Sequence, residues 1–295
     1  MIWRLSILSF GIFCAATSVV MTKASALQPE HLSAGRLLLA VIILLPLFLR
    51  DKKRFPNFPL AKAFKASVVP GFLLAIHFIT WTIGARWTSA ANSTLIVNLM
   101  PIAMPFVGFF ILKETLNRKE WIGTSIAFLG VVVLGISDFR VSVDHLLGDL
   151  VCLLSMLLLA WYLILARKNK WVPSIWLYLV PLYATASVLC FAIGLARVGL
   201  PQINSNHEWI YLLLLGIVPT VLGHSLLNMA MQWFRSQMVA LLNQMQFVYA
   251  GILGLLFFNE MPNTPFYLAS TCMLAGVFWT IFASPSSKPD TESST

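Results

Sequence analysis

Long runs of apolar residues, separated by short polar segments, make up almost the whole chain. Ten of these runs are long enough to cross a bilayer, because a transmembrane helix needs about 20 predominantly apolar residues. They cover approximately residues 5–25, 32–49, 67–86, 90–112, 120–137, 147–166, 174–196, 209–232, 236–258 and 264–284. The runs are continuous and lack the alternation of lipid-facing β-strands. The pattern therefore predicts an all-α integral membrane protein with ten transmembrane helices.

The composition agrees with a bilayer environment. Hydrophobic residues make up 59% of the 295 residues and charged residues 11%, and the mean hydropathy is +0.83. Soluble globular chains contain about 25% charged residues, so a chain this apolar would expose too much hydrocarbon to water. The length alone would be typical of two soluble domains. The composition instead indicates that the chain lies in lipid.

The net charge of +9 reflects membrane orientation. Lys and Arg accumulate in the cytoplasmic loops of membrane proteins. With the N-terminus inside, fifteen of the 20 basic residues lie in the inner segments. The outer loops hold three, Arg86, Arg140 and Arg197, and Lys23 and Arg36 lie within runs. This distribution predicts two cytoplasmic termini in a bacterial-type plasma (inner) membrane, and it leaves no reason to expect a nucleic-acid partner.

The termini and the cysteines suggest neither processing nor metal binding. Ala24, Ser25 and Ala26 resemble a signal-peptide cleavage site, but the apolar run before them has about 18 residues, the length of a span. We therefore expect an uncleaved first span. Residues 285–295 are polar and are expected to form a disordered cytoplasmic tail. The four cysteines lie inside apolar runs without CxxC spacing, so we predict no metal and no other cofactor.

The chain contains an internal repeat of about half its length. Four identical pairs share a constant offset of 146 positions: Trp87 and Trp233, Gly108 and Gly254, Glu114 and Glu260, Gly130 and Gly276. Lys23 and Arg167 align at an offset of 144, and His77 and His224 at 147. The repeat therefore extends across most of the sequence.

Each copy of the repeat holds five spans. Because five is odd, the second copy enters the membrane from the opposite side, which makes this an inverted-topology repeat. We expect the two copies to cover residues 1–140 and 141–284. Many secondary transporters have this plan and bind substrate near the bilayer midplane, between the repeats.

Three blocks of sequence carry a family resemblance. The first is TSVVMTKASALQPEHLSAGRLLLA; the second is HFITW with TSAAN, Pro101 and FFILKETLNRKEWIGTSIAFLGVVVLG; the third is PTVLGHSLLNMAMQW with LLFFNE and LAGVF. Over nearly all of residues 5–284, the sequence resembles the drug/metabolite transporter superfamily, specifically its EamA-type ten-span members. This resemblance implies ten helices in two inverted repeats around a central cavity, and transport, often export, of amino acids or related metabolites. One departure is Phe247, which replaces the usual second-repeat proline; we expect the ninth span to kink less.

Polar residues within the apolar runs are the candidates for substrate binding. They are costly in hydrocarbon, so they usually face a cavity or a neighbouring helix. His77 and Trp81 are four residues apart and share a helix face; the eighth run repeats this spacing. We predict a cavity that includes His77, Trp81, Asn92, Asn98, His224, Asn228, Asn243, Gln246 and Tyr249. The alternative is that these side chains only bond across helix contacts, at about 1 kcal/mol or less each.

Four charged residues at or near span ends suggest two further roles. Lys23 and Arg36 lie near the outer ends of the first two runs. They are possible contacts for a substrate anion, and for Lys23 the alternative is that it reaches the headgroups. Glu114 and Glu260 lie at span ends on opposite sides of the membrane in this topology, which suggests helix-end or gate contacts.

The coupling of transport depends on two histidines. No Asp or Glu lies near the middle of any run, whereas His77 and His224 do. Histidine is the side chain whose ordinary pKa lies near neutrality. One hypothesis is therefore that His77 or His224 carries a proton in an antiport cycle; the other is facilitated diffusion without coupling.

These features favour a transporter over an enzyme. The sequence contains no GxxxxGK[ST], HExxH or GxSxG stretch, the first of which marks a phosphate-binding ATPase loop and the others two catalytic classes. An integral-membrane enzyme is the less favoured alternative. A nucleotide-sugar or organophosphate exchanger would need several interior cations, and this chain offers only Lys23 and Arg36. We therefore predict a secondary transporter that exports a small amino-acid-like or amphipathic metabolite by alternating access. Its expected partners are that substrate and the lipid bilayer, in an oligomeric state that the sequence leaves open.

Overall fold

The computed structural model describes residues 1–88, 90–97, 99–137, 143–203, 205–258 and 264–283, and the regular structure of this part is helical. Its elements, in chain order, are α1 (Ile2–Ala16), α2 (Ser18–Ala24), α3 (Pro29–Arg54), α4 (Leu60–Trp87), α5 (Ala90–Val97), α6 (Met100–Leu112), α7 (Arg118–Ser137), α8 (Val143–Lys168), α9 (Ile175–Val198), α10 (Asn206–Leu215), a π-helix (Gly216–His224), α11 (Ser225–Trp233), α12 (Ser236–Asn243), α13 (Met245–Phe258) and α14 (Thr264–Ala283).

Several of these helices are suited to cross a membrane. Within the described part of the chain, seven stretches are long and apolar enough: Ile2–Ala24, Pro29–Arg54, Leu60–Trp87, Leu146–Lys168, Ile175–Val198, Asn206–Trp233 and Thr264–Phe282. Met100–Leu112 is a shorter apolar helix. The regular structure of the described residues is thus helical, and the chain is a multi-pass membrane protein, as predicted. The predicted runs 90–112, 120–137 and 236–258 coincide with α5–α6, α7 and α12–α13.

Three of the predicted runs are interrupted. The first is divided into α1 and α2 at Thr17, whose hydroxyl donates to the Cys14 carbonyl at 2.7 Å. The fourth is divided into α5 and α6 just before Pro101, which cannot donate a backbone hydrogen bond. The ninth is divided at Gln244, where the N–H donates to Leu241 O at 3.1 Å in a tight turn. Because Phe247 replaces a proline, we expected the ninth span to kink less than the fourth, which contains Pro101. The structure does not show this contrast, since the ninth span is interrupted at Gln244 without a proline.

The π-helix within the eighth run has a local chemical cause. In an α-helix the carbonyl of Leu215 would accept from the N–H of residue 219, but Pro219 has no N–H. The Thr220 hydroxyl donates to Leu215 O instead, at 2.7 Å. The wider turn continues to His224, and the Ser225 N–H then donates to Thr220 O, five residues back. This irregular segment sets the directions of Thr220 and His224.

The helices pack closely through small residues. α4 packs on α8 and α9, α3 on α9, α7 on α14, and α1 against the π-helix and α13. At the α7–α14 contact, a Cβ on Gly130 would lie 2.6 Å from the Ala269 carbonyl oxygen. At the contact between α1 and the π-helix, a Cβ on Gly223 would lie 3.0 Å from Ala15 Cα. Small residues at such contacts allow the close helix approach on which association in lipid depends.

α4 and α8 are antiparallel, which defines the two ends of the bundle. Asn169, just after α8, donates to the carbonyl of Ala66 early in α4 at 3.1 Å. Gly148, early in α8, lies against the backbone of Trp87 at the end of α4. The C-terminal ends of α4 and α8 therefore lie at opposite ends of the molecule.

Candidate functional site

A cavity lies between the helices, and four of the predicted site residues line it. Its lining consists of Ala15, Ser18, His77, Phe78, Trp81, Val97, Leu159, His224, Leu227 and Gln246. The empty space between these atoms is about 430 Å³, open part included. Only about 40 Å³ can hold the centres of water molecules, which is room for roughly three waters. The cavity is therefore contracted in this conformation.

A second, adjoining cavity continues the first. Its empty space is about 280 Å³, and it shares Ala15, Trp81, Val97 and Gln246 with the first cavity. Thr94 of α5 extends its wall. Trp81 and Gln246 therefore lie at the junction of the two spaces, where they can contact a molecule in either.

His77 is fixed by Ser155 of α8. Its Nδ1 lies 2.9 Å from the Ser155 carbonyl oxygen and 2.8 Å from Ser155 Oγ, and that hydroxyl donates to the His77 carbonyl at 3.0 Å. A carbonyl oxygen can only accept, so Nδ1 carries a proton. In the neutral imidazole, Nε2 is then an acceptor, and it has no protein partner among the described residues.

His224 is fixed by Tyr162 and Asn228. Asn228 Nδ2 donates to Tyr162 Oη at 2.5 Å and to the His224 carbonyl at 2.7 Å. With Tyr162 accepting from Asn228, its own proton points to His224 Nδ1, 3.2 Å away. Nδ1 therefore accepts, and in the neutral ring Nε2 carries the proton.

The two histidines thus offer complementary groups to the same cavity. Their ring centroids are 6.0 Å apart, and the Phe78 ring lies edge-on to His224 at 4.8 Å. His77 presents an acceptor and His224 a donor, assigned from their fixed Nδ1 partners. A ligand or water that both donates and accepts can bridge them.

The other predicted site residues are placed less uniformly. Gln246 lines the cavity and donates from Nε2 to Asn243 Oδ1 at 2.5 Å, and Asn243 is itself buried. Tyr249 packs edge-on against Phe13 of α1, with centroids 5.4 Å apart. Asn228 is fully buried and orients Tyr162 and His224 from behind the cavity wall.

Three predicted residues cannot be placed. Asn98 and Glu260 lie outside the described residues. Asn92 belongs to α5, but its side chain is likewise outside the described part. The roles assigned to them stay predictions.

The two predicted anion contacts, Lys23 and Arg36, occupy different places. Arg36 is 1% exposed, and its Nε donates to Thr220 Oγ1 at 2.8 Å while Nη1 donates to Ser18 Oγ at 3.2 Å. Lys23 Nζ donates to the Thr88 carbonyl at 3.1 Å, at the end of α4. Arg36 therefore lies in the bundle interior, whereas Lys23 joins helix ends.

A cluster of contacts at that end of the bundle connects the two halves of the chain; we term it the Glu208 cluster. Glu208 of α10 accepts from Ser25 Oγ at 2.5 Å and from the Ala26 N–H at 2.8 Å. Arg86 donates to the carbonyls of Leu27 and Ser25, both at 2.8 Å. The segment after α2 is therefore held between α4 and α10.

A second cluster, the Glu114 cluster, lies at the opposite end. α6 ends at Leu112; the next residue, Lys113, has the left-handed conformation (φ 58°), and the Glu114 N–H donates back to Gly108 O at 3.3 Å. This turn brings Glu114 Oε1 to 2.5 Å from Arg167 Nε. Ser236 donates to the other carboxylate oxygen. Glu114 therefore joins α6 to α8 and α12.

The pKa of Glu114 reports the balance of these contacts. Burial raises the pKa of this carboxyl, but the hydrogen bond from Ser236 and the charge of Arg167 outweigh burial and hold it below its ordinary value of 4.5. Nearby, Glu120 pairs with Arg235 at 3.1 Å and forms a reciprocal capping box with Asn117 at the start of α7. Glu114 thus has the contacts expected of a helix-end residue.

Sequence reasoning did not assign a role to several residues that shape the site. Ser155, Thr220 and Ser18 orient His77 and Arg36. An isolated hydroxyl in an apolar run is a weak signal, because most such groups bond to their own helix backbone. The signal that was available is Pro219, which predicts an irregular turn and an unsatisfied carbonyl that a nearby hydroxyl can take.

Metal binding has no support in the described part of the chain. No group of three or more His, Cys, Asp or Glu side chains within it is arranged to hold a metal ion.

Comparison with known proteins gives consistent matches over most of the chain. The EamA-like transporter family matches residues 1–136 and 146–282. The uncharacterized transporter YdfC of Bacillus subtilis is 26% identical, over 92% of this chain and 88% of its own. Solute carrier family 35 member G1 of Mus musculus is 23% identical, over 88% and 72% respectively. A crystal structure at 16% identity covers 95% of this chain and 96% of its own, with a TM-score of 0.77, which shows a common fold.

Proposed function

The chain belongs to the EamA-like transporter family, and from this premise we propose that it exports a small amino-acid-like or amphipathic metabolite across a bacterial-type plasma membrane by alternating access. It is a membrane transporter rather than an enzyme. The observation that carries the proposal is the cavity into which both halves of the chain direct a histidine, His77 and His224. Trp81, Phe78 and Gln246 give it an aromatic and weakly polar wall, suited to an amphipathic molecule.

We further propose that ten spans form two inverted repeats, residues 1–140 and 141–284. Equivalent contacts in the two halves support this arrangement. Lys23 donates to the carbonyl of Thr88, the residue after α4, and Arg167 donates to the carbonyl of Phe234, the residue after α11. Lys23 and Arg167 are equivalent by the 144 offset, and Thr88 and Phe234 by the 146 offset. The same contact thus occurs twice, as a repeat requires.

Alternating access requires contacts that can close the pathway at either end. The Glu114 and Glu208 clusters have this position, because each connects the first half of the chain to the second at one end of the bundle. In the proposed topology, with both termini cytoplasmic, the Glu114 cluster faces the cytoplasm. Its residues Arg167 and Arg235 belong to the inner segments that are rich in basic residues.

For coupling, His77 is the better proton carrier of the pair. Its Nδ1 is held by Ser155, so Nε2 is the free acceptor and can take a proton without loss of the Ser155 contact. Protonation of His224 would require Tyr162 to give up its hydrogen bond to Nδ1. We therefore assign proton exchange in an antiport cycle to His77.

Metabolite profiling, followed by flux measurements, tests the function. Cells with and without the gene are profiled, and the metabolite that changes most is loaded into vesicles with the reconstituted protein and an imposed pH gradient. We expect the pH gradient to drive flux in the wild type and to drive little flux in His77→Ala. Passive flux without a gradient should occur in both proteins. Equal gradient-driven flux in wild type, His77→Ala and His224→Ala would refute coupling. The absence of any metabolite that moves would refute the transport proposal.

Reporter fusions test the ten-span topology. A phosphatase or fluorescent reporter is fused after residue 50 and near residue 140. We expect the first fusion to report the cytoplasm and the second the outside, because three spans separate the two positions in this topology. Reports from the same side would exclude the ten-span model.

A further inference from the structure

Arg36 is a buried cation with unused hydrogen-bonding capacity. Its Nε and Nη1 bond to Thr220 and Ser18, and its Cζ lies 4.2 Å from the centroid of the Phe78 ring. Nη2 is buried and has no hydrogen-bond partner among the described residues. Arginine retains its charge in proteins, so a full positive charge stays in the bundle interior, where the described hydrogen bonds to its guanidinium come from hydroxyl groups.

No described carboxylate compensates this charge. The structure describes six carboxylates, and each has a partner elsewhere: Glu30 with Arg197, Asp51 with Arg50, Glu114 with Arg167, Glu120 with Arg235, Asp149 with Thr88 and Glu208 with Ser25. An uncompensated buried charge is strongly unfavourable. Its retention therefore indicates that an anion joins it during the working cycle.

The surroundings of Arg36 place that anion in the cavity. Two of its three neighbours, Ser18 and Phe78, line the cavity wall, and Phe78 lies against His224. The guanidinium is thus separated from the cavity by single side chains. When the contracted cavity widens around a molecule, small movements of Ser18 and Phe78 would expose Nη2.

We infer that Arg36 binds a carboxylate group of the transported molecule, and that this carboxylate is the missing counter-charge; the inference rests on the proposed function. A single arginine suits one carboxylate, whereas a phosphate with two charges favours several cations. Lys23 does not share this role, because it holds the helix end at Thr88. The substrate is therefore an amphipathic carboxylate: its anionic group meets Arg36, and its apolar body lies against Phe78 and Trp81.

Thermal unfolding of the purified protein in detergent tests the inference. The probes are phenylacetate, its neutral analogue phenylacetamide, and chloride, at constant ionic strength. We expect phenylacetate to raise the unfolding temperature of the wild type and the other two to leave it unchanged. Arg36→Gln should lose the response, while its unliganded unfolding temperature rises by several degrees because an uncompensated charge has been removed. Arg36→Lys keeps the positive charge, so phenylacetate should still raise its unfolding temperature, but by less than in the wild type.

Arg197→Gln is the matched control, since Arg197 is largely exposed and pairs with Glu30; its response to phenylacetate should equal that of the wild type. The inference is wrong if phenylacetamide stabilises as well as phenylacetate, if phenylacetate has no effect on the wild type, or if Arg36→Gln keeps the response. An equal response to chloride would assign Arg36 to inorganic anions instead and overturn the substrate role. A neutral metabolite in the vesicle flux assay would leave the proposed function intact and refute only the carboxylate.

Discussion

At the level of single residues, the two cavity histidines are alike in type and opposite in hydrogen bonding. The carbonyl of Ser155 requires a proton on Nδ1 of His77, whereas Tyr162, which accepts from Asn228, leaves its own proton for a lone pair on Nδ1 of His224. The ring nitrogens left for the cavity are therefore an acceptor and a donor. We expect such a pair to favour molecules that present the complementary groups at matching positions, because a molecule without them leaves one imidazole nitrogen unpaired.

Tyr162→Phe should allow His224 to adopt both neutral tautomers. The substitution leaves His224 Nδ1 and one N–H of Asn228 without their partner in a fully buried site. We expect a loss of about 1–3 kcal/mol in unfolding free energy and a mixture of His224 tautomers in ¹⁵N NMR spectra of labelled protein. The His77 signals should stay those of a ring protonated at Nδ1.

Tyr183→Phe is the matched control for this prediction. Tyr183 is equally buried, but its hydroxyl bonds to Ser225 at 3.1 Å and to neither histidine. Its removal should leave both imidazole spectra unchanged. A single unchanged His224 tautomer in Tyr162→Phe would contradict the assignment.

The sequence predicted one substrate cavity for His77, Trp81, His224 and Gln246; these four residues line the same cavity, and their role in binding stays a prediction. It did not separate the residues that face the cavity from those that support them, as with Asn228. A spacing of four puts two side chains on one helix face, but one face can contact a neighbouring helix as well as the cavity. Asn228 turns to Tyr162 because a buried amide bonds to the nearest partners available.

At the level of elements, the π-helix determines how the eighth span serves the site. Pro219 removes the donor for Leu215 O, Thr220 replaces it, and the same hydroxyl oxygen accepts from Arg36. One proline thus links the irregular backbone to the buried cation. The sequence contained Pro219, but simple α-helical spacing does not describe a turn with extra residues, so the face of Thr220 could not be predicted.

Thr220→Val should destabilise this element. Valine has the shape of threonine but leaves Leu215 O and Arg36 Nε without partners at a site with no exposure. We expect a loss of roughly 1–3 kcal/mol, measured as a lower unfolding temperature in detergent. Thr220→Ser keeps the hydroxyl and should lose much less. Equal losses for valine and serine would show that packing of the methyl group, rather than the hydrogen bonds, matters here.

At the level of the whole molecule, the charged clusters lie at the ends of the bundle and the weakly polar cavity lies between them. The place of Glu114 at a span end suggests a helix-end or gate contact, and that role stays a prediction. The sequence did not identify Arg167 and Ser236 as partners of Glu114, or Glu208 as a partner of Ser25. These contacts join residues more than 50 positions apart and depend on how the two halves pack. The repeat alignment does point to Arg167 once the structure is known. Its equivalent in the first repeat, Lys23, also donates to the carbonyl of the residue that follows a helix, Thr88.

The Glu114 cluster should weaken in acid. The pKa of Glu114 lies below its ordinary value of 4.5, so its ionised form stabilises the fold above that pH, and this contribution is lost as the pH falls through the lowered pKa. We expect the unfolding temperature of the wild type to fall more steeply below about pH 4.5 than that of Glu114→Gln. Because the pair is partly exposed, the difference should be at most about 1 kcal/mol. Parallel profiles would contradict the contribution of Glu114.

The two clusters should control access to the cavity with opposite sign. Glu114→Gln removes the charge that holds Arg167, and Glu208→Gln weakens the contacts to Ser25 and Ala26. Each change weakens closure at one end only, so it should favour the conformation that opens there. The measurement uses Leu159→Cys, a cavity position, in a chain whose native cysteines are replaced by serine or alanine.

A membrane-impermeant thiol reagent is then added to one side of oriented vesicles at a time. We expect Glu114→Gln to speed labelling from the cytoplasmic side and Glu208→Gln to speed it from the other side, each by several-fold, since loss of about 1 kcal/mol changes a population ratio about fivefold. Each variant is the matched control for the other, because both replace a glutamate by its neutral isostere. Faster labelling from the same side in both variants would mean that the clusters do not act as opposing closures, and the alternating-access proposal would fail.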